Sequence, residues 1–188
     1  MEQIRQIWIE IILWHNGVVT KLMTLLETNK QILSSKIDDW SLIQRGLAHD
    51  LDKINDTNFA NAMCDYYYDR FVLKKKDGIS DDYLLKYKAH EHYLTNPHHQ
   101  QYHLQNNTKP TAVDICEMVC DFIAASRKHK KYDGIKNSFD LIFSYQPTKQ
   151  FIIDTGYEKF KEIADLLDSF NLSEDFFGED PFDKFRKI

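Results

Sequence analysis

Five of the eight histidines in this 188-residue chain, His90, His92, His98, His99 and His103, fall within fourteen positions. Two more stand upstream. His15 lies in a long apolar run, and His49 is followed at once by Asp50, with Lys53 three positions beyond the aspartate. Downstream, Asp114, Glu117 and Asp121 recur at i, i+3 and i+7, which puts three carboxylates on one face of a helix. Imidazole and carboxylate together suit Mn, Fe, Co, Ni or Zn better than Ca, with Mg fitting a carboxylate-rich second position. One or two such ions would lower the pKa of bound water and supply hydroxide near neutral pH.

Each feature also has an ordinary structural explanation. A single His-Asp pair is about what chance gives a chain of this composition. A lone histidine in an apolar helix is usually a core side chain with one hydrogen bond, because an unpaired polar group there is costly. Charges at helical spacing usually mark a solvated face, but Ile115, Met118, Val119, Phe122 and Ile123 surround these three. His92 and His103 read as exposed. The run Arg127, Lys128, His129, Lys130 and Lys131 reads first as a solvated helix end and second as a place for a phosphate tail. The three cysteines, Cys64, Cys116 and Cys120, have no framework spacing and are expected as reduced thiols. Cys116 and Cys120, one turn apart, read as small buried hydrophobes rather than zinc ligands.

The segment Gly46-Leu47-Ala48-His49-Asp50-Leu51-Asp52-Lys53 resembles the pattern of the HD phosphohydrolase superfamily, in which an apolar helix ends in His-Asp followed by two residues and a lysine. The resemblance runs from about His15 to Arg127. It implies His15 as the first metal ligand, His49 and Asp50 as the central pair, and Asp121, within Val119-Cys120-Asp121-Phe122-Ile123-Ala124-Ala125, as the last. Asp114 is the alternative last ligand, and Glu117 an orienting group behind the ligands. Dinuclear members of the superfamily hold a second ion with histidines from the interval before the last aspartate, which implies His90 and His99, then His98. The implied reaction is metal-dependent hydrolysis of a nucleotide or related small phosphate ester. Asp50 would sit on the metal, and Lys53, then Arg127 or Lys128, against the phosphoryl oxygens. Some HD proteins activate oxygen on an iron pair instead. A third reading is a metal-stabilised protein that binds a nucleotide or host factor without turnover. In detail, EHYLTNPHH followed by EMVCDFIAASR resembles an uncharacterised family of small bacterial and phage proteins at His90, Asn96, His98, His99, Glu117, Met118 and Asp121.

Helices must deliver these groups. Ile4, Ile7, Trp8, Ile11, Ile12, Trp14, Val18 and Leu22 recur at helical spacing and predict a first helix from about Glu2 to Glu27, with His15 near its middle. A second helix is expected after Asp38 or Asp39, which could cap it, and should carry His49 and Asp50 at its end. A third is expected from Thr57 to Lys75 with Asp56 as cap, and a fourth after Ser80 that stops before Pro97. Pro110 suits the first turn of a fifth, to Lys128. Two further stretches, near Ser138–Tyr145 and Tyr157–Phe170, complete an all-α, HD-type bundle of six or seven helices. The tail SEDFFGEDPFDKFRKI should pack on the surface or on a partner chain.

Composition agrees. Apolar residues make up 43% of the chain and aromatic ones 13%, enough for a packed core, while six Gly and four Pro are too few for a strand-rich sandwich. One domain is expected over 1–188, its core at about 2–131 and its C-terminal helices and tail at 132–188. A net charge of -5 argues against a dedicated nucleic-acid surface. The N-terminal apolar run reads as too short for a membrane span and lacks a signal cleavage site. The expectation is a cytoplasmic protein (host cytoplasm if viral), away from membranes, with a small phosphorylated partner and a possible homodimeric state.

Overall fold

The computed structural model describes residues 2–74, 89–128, 137–144 and 146–187; for Arg70, Phe71, Ala89, His90, Arg127, Lys128, Gln146, Pro147 and Arg186 it describes only the backbone. Every regular element among the described residues is helical. The order is α1 (Glu2–Asn29), α2 (Ser41–Ala48), α3 (Asp52–Asn55), α4 (Thr57–Tyr67), α5 (Ala89–Thr95), α6 (Gln100–Asn106), α7 (Ala112–Lys128), α8 (Ser138–Ser144), α9 (Gln146–Thr155), α10 (Tyr157–Ser169), α11 (Glu174–Phe177) and α12 (Asp183–Arg186). The all-α class is as the sequence predicts. The helices outnumber the six or seven expected because α3, α11 and α12 are single turns too short to show a period, and because α9 follows α8 almost directly.

Helix α1 is the axis of the fold, packing against α2, α4, α7, α10 and α12. Its length and apolar composition alone would suit a membrane span, contrary to the expectation that it is too short. It is instead wrapped by other helices, and its two halves serve two apolar clusters. Ile4, Ile7, Trp8, Ile11 and Ile12 pack with Phe59, Cys64 and Tyr67 of α4 and with Phe182 and Phe185. Val18, Val19, Leu22, Met23 and Leu26 pack with Leu42, with α7, and with Phe139, Phe151 and Phe160 of α8 to α10. Burying each such side chain contributes roughly 1.5–3 kcal/mol. His15 falls between the two clusters. The tail is part of this core: Phe177, Phe182 and Phe185 are buried in their own chain rather than laid on its surface.

Three boundaries differ from expectation, each for a local reason, and a fourth lies outside the described residues. Helix α2 is not capped by Asp38 or Asp39. Trp40 precedes it in the left-handed region (φ 68°), and the Glu27 carboxylate on α1 accepts from the amides of Trp40 and Leu42, while Asp39 is drawn to Lys30. Helix α4 is capped by Asp56 as expected, but a π-helical turn over Tyr68–Val72 closes it before Lys74; Lys75, Lys76 and the Asp77-Gly78 stop lie outside the described residues. The predicted start of a helix at Ser80 is outside them too, although α5 does end before Pro97. Pro110 lies ahead of α7 rather than in its first turn. Thr111 caps α7 in a reciprocal box, in which its amide and hydroxyl donate to Asp114 Oδ2 and its Oγ1 accepts from the Asp114 amide.

Helices α1 and α2 approach closely at Gly46. A Cβ there would meet Thr20 Cα at 3.0 Å and Met23 Cβ at 3.1 Å. That contact brings the end of α2 down onto the middle of α1.

Candidate metal centre

Helix α2 ends at Ala48, so His49 and Asp50 do not continue it. His49 is extended (φ -55°, ψ 128°) and Asp50 is left-handed (φ 57°). In a helix the two side chains would diverge by about 100°; this turn lets both face one point. A left-handed non-glycine residue costs on the order of 1–2 kcal/mol, least for Asp and Asn, and such strain persists where the surroundings fix it. Asn16, next to His15 on α1, helps fix it by donating from Nδ2 to the carbonyl of His49 at 2.5 Å.

Two groups of side chains meet at Asp50. On one side His15 Nε2 lies 3.2 Å from His49 Nε2 and 2.9 Å from Asp121 Oδ1, and Asp50 Oδ2 is 3.7 Å from His15 and 3.5 Å from His49. On the other side Asp50 Oδ1 is 3.2 Å from His92 Nε2 and 3.5 Å from His98 Nε2, and His99 Nε2 is 2.8 Å from His92 Nε2. Each group places its nitrogen and oxygen atoms close enough to hold one ion.

The outward-facing ring nitrogens lie against carboxylates. Nδ1 of His49 hydrogen-bonds Glu117 Oε1 at 3.0 Å, and Nδ1 of His98 lies 3.3 Å from the same oxygen. Nδ1 of His92 donates to Asp52 Oδ2 at 2.7 Å, and Asn96 Nδ2 donates to the same oxygen at 3.0 Å. A ring that carries its only proton on the outer nitrogen, as a metal ligand does, would turn an acceptor nitrogen toward these carboxylate oxygens; with no cation between them, the neighbouring carboxylates push His49 and His98 toward the protonated form. Acceptors repel one another unless a proton or a cation lies between them. Asp50 Oδ1 and His98 Nε2 are buried and have no hydrogen-bond partner at all. An imidazole–carboxylate set with orphaned inner atoms and carboxylates behind the rings fits a borderline divalent metal.

Electrostatics are concentrated here. Burial alone would raise the Asp50 carboxyl, but His49, Lys53 and the imidazoles of His92 and His98 hold it well below the usual range. Asp121 is held low against burial by His15 and His49. Burial would lower His49, yet Asp50, Asp121 and Glu117 raise it to about 10. Burial would raise Glu117, yet His49 and His98 bring it to about 2. Burial keeps His15 and His99 low, so both favour the neutral form that a metal ligand must have.

Of the residues singled out in the sequence, His15, His49, Asp50, Asp121, His98 and His99 converge. Lys53 Nζ donates to Asp50 Oδ2 at 2.6 Å. Glu117 stands behind two rings, as an orienting group would. Asp114 is not among these atoms: its carboxylate accepts from Thr111 and pairs with Arg45 at 3.1 Å. His90 lies in α5 with its side chain outside the described set, as do those of Arg127 and Lys128; His129, Lys130 and Lys131 lie outside the described residues altogether. His92 and His103, read as exposed, are buried. His92 joins the second group. His103 donates from Nε2 to the carbonyl of Pro97 at 2.8 Å and meets Thr108 Oγ1 through Nδ1 at 3.0 Å, which braces the loop of His98 and His99.

Arg45, Asp52 and Asn16 were missed. Arg45 sits one helical turn before His49, and Asp52 two residues after Asp50; those short offsets were the available signal. Solvent reaches the centre at Asp52 and Asp121, whose side chains stay 47% and 20% exposed. A cleft of about 420 Å³ lined by Gln3, Gln6, Ile7, Glu10, Lys184 and Lys187 lies elsewhere and contains none of these groups.

A family model described as "Family of unknown function (DUF5662)" matches residues 8–165, a span that includes every residue of the centre. No curated protein and no solved structure matches the chain.

Proposed function

We propose that the chain, which belongs to the DUF5662 family of unknown function, is a metal-dependent phosphohydrolase acting on a nucleotide or a related small phosphate ester. The observation that carries this reading is the division of Asp50. One oxygen faces His15 and His49, the other faces His92 and His98, and Lys53 stands on the first. Such a carboxylate suits the bridge of a two-ion centre. When bound, divalent ions supply Lewis acidity and a coordinated water of lowered pKa.

The chain's own residues do the positioning. His15, His49 and Asp121 would hold one ion, and His92, His98 and His99 the other, with Asp50 common to both. Glu117 and Asp52 keep the ring protons on the outer nitrogens. Lys53 is nearly buried, and although burial opposes its charge, Asp50 holds its ammonium well above the ordinary lysine range, so it stays charged. An ammonium has three donors, so its bond to Asp50 leaves others to offset charge on phosphoryl oxygens.

A second reading is an oxygenase on an iron pair. What favours it is the second group, which offers three imidazoles beside the Asp50 carboxylate. One experiment separates the two. Protein loaded with Mn or Co is screened against nucleoside mono- and triphosphates, cyclic nucleotides and generic phosphate esters, and iron-loaded protein is followed for oxygen uptake with small organic substrates. Phosphate or nucleotide release that falls on Lys53→Ala, with metal content unchanged, supports the hydrolase. Oxygen uptake without phosphate release replaces it with the oxygenase. Tight nucleotide binding without turnover replaces both with a binding protein.

A further inference from the structure

Glu117 uses a single oxygen for two histidines that belong to different halves of the centre. Oε1 accepts from Nδ1 of His49, whose Nε2 faces His15 and Asp121. It also lies 3.3 Å from Nδ1 of His98, as an ion pair, and Nε2 of that ring faces Asp50 Oδ1. The two rings are neighbours, with centroids 4.5 Å apart and planes tilted by 53°. The other oxygen, Oε2, is held by Arg45, whose Nε donates at 2.6 Å and whose Nη2 pairs with it as well. Arg45 is braced in turn by Asp114 Oδ1, and the other Asp114 oxygen is taken by Thr111 at the start of α7.

We propose that Glu117 is a positioning residue shared by both metal subsites, clamped by Arg45 and Asp114, so that its loss loosens the two subsites together. The inference rests on the two-ion reading above. The trio His49, His98 and Glu117 is close enough to suggest a third ion, but the contacts argue otherwise. A guanidinium already lies on Glu117 Oε2, and both Nδ1 atoms are needed as donors because both Nε2 atoms face the centre. A carboxylate behind a ligating imidazole fixes the ring and raises its basicity, and removing one typically costs about 10–100-fold in metal affinity. An ordinary partner of this kind serves one ligand; Glu117 serves two. With Oε2 held by Arg45, it cannot turn toward one ring without releasing the other.

The test is a titration of metal-stripped full-length protein with cobalt(II), followed by calorimetry and by the visible absorption of the bound ion. Wild-type protein should take up cobalt in two steps. Glu117→Gln should weaken both steps by about 10–100-fold, and Arg45→Gln should weaken both in the same direction by less. His99→Ala, by contrast, should weaken one step only. In zinc-loaded protein the ring N–H proton signals of His49 and His98 should both shift in Glu117→Gln and in Arg45→Gln, a change that a general loss of stability would not produce. If Glu117→Gln does not fold, Arg45→Gln carries the test, because Arg45 is partly exposed. Loss confined to one step, or two steps within threefold of wild type, overturns the shared role. A wild-type protein that binds one ion overturns sharing while leaving a single-ion centre standing. One that binds none overturns both readings.

Discussion

At the scale of residues, the two candidate carboxylates of α7 have different work. Asp121 lies 2.9 Å from His15 and faces His49, whereas Asp114 pairs with Arg45 and caps α7. Asp121→Asn should therefore lower metal affinity with little effect on folding. Asp114→Asn should cost on the order of 1 kcal/mol of stability through the cap and leave affinity higher than in Asp121→Asn. A competitive chelation titration beside a thermal melt checks both, and the reverse order of affinities would put the last ligand at Asp114. The thiols give a second prediction. Burial pushes Cys116 up to about 12 and Cys120 well above the ordinary range, and Cys64 is raised too. A thiolate is the reactive form, so a disulfide reagent at pH 8 should label none of the three until denaturant is added. Rapid labelling of Cys116 or Cys120 in the native protein would contradict their burial.

At the scale of elements, the centre depends on how α2 meets α1 and on how the Pro97–His99 loop is braced. Gly46→Ala would force Thr20 or Met23 to shift at 3.0–3.1 Å. Overpacking of this kind costs typically about 1–3 kcal/mol. Because His49 lies three residues on, metal affinity should fall with the melting temperature; an unchanged melt would show that the helices separate freely. His103→Ala removes the brace on Pro97 and should weaken metal binding although His103 is no ligand, as a calorimetric titration would show. The long periodic elements were legible in the sequence: the stripe on α1, the Asp56 cap and the stop before Pro97 all follow from local rules. What was not legible lies where distant elements meet. No local pattern reveals that Glu27, thirteen residues away, takes the cap role at Trp40. Likewise, without a clear apolar period in the segment around His92, the sequence could not say that His92 faces inward.

For the molecule as a whole, the arrangement is a polar layer between two apolar clusters strung along α1. The upper half of the core is closed by α4 and the tail aromatics, the lower half by α7 to α10, and His15 stands at the junction. The convergence of His15, His49, Asp50, Asp121, His98 and His99 was foreshadowed by residue type and chain order, but the place of His92 was not, because His92 and its partner Asp52 become neighbours through folding. Asp50 Oδ1 and His98 Nε2 are buried at that junction with no hydrogen-bond partner, and the proposal is that a bound metal lies between them. Elemental analysis of protein purified without a histidine tag tests it most directly, set beside a variant with His49→Ala and Asp50→Ala together. The wild type should hold transition metal in stoichiometric amount, up to two ions per chain, and the double variant none. Metal-free wild-type protein that stays so after incubation with Mn, Fe, Co and Zn, or a double variant that retains its metal, would contradict it.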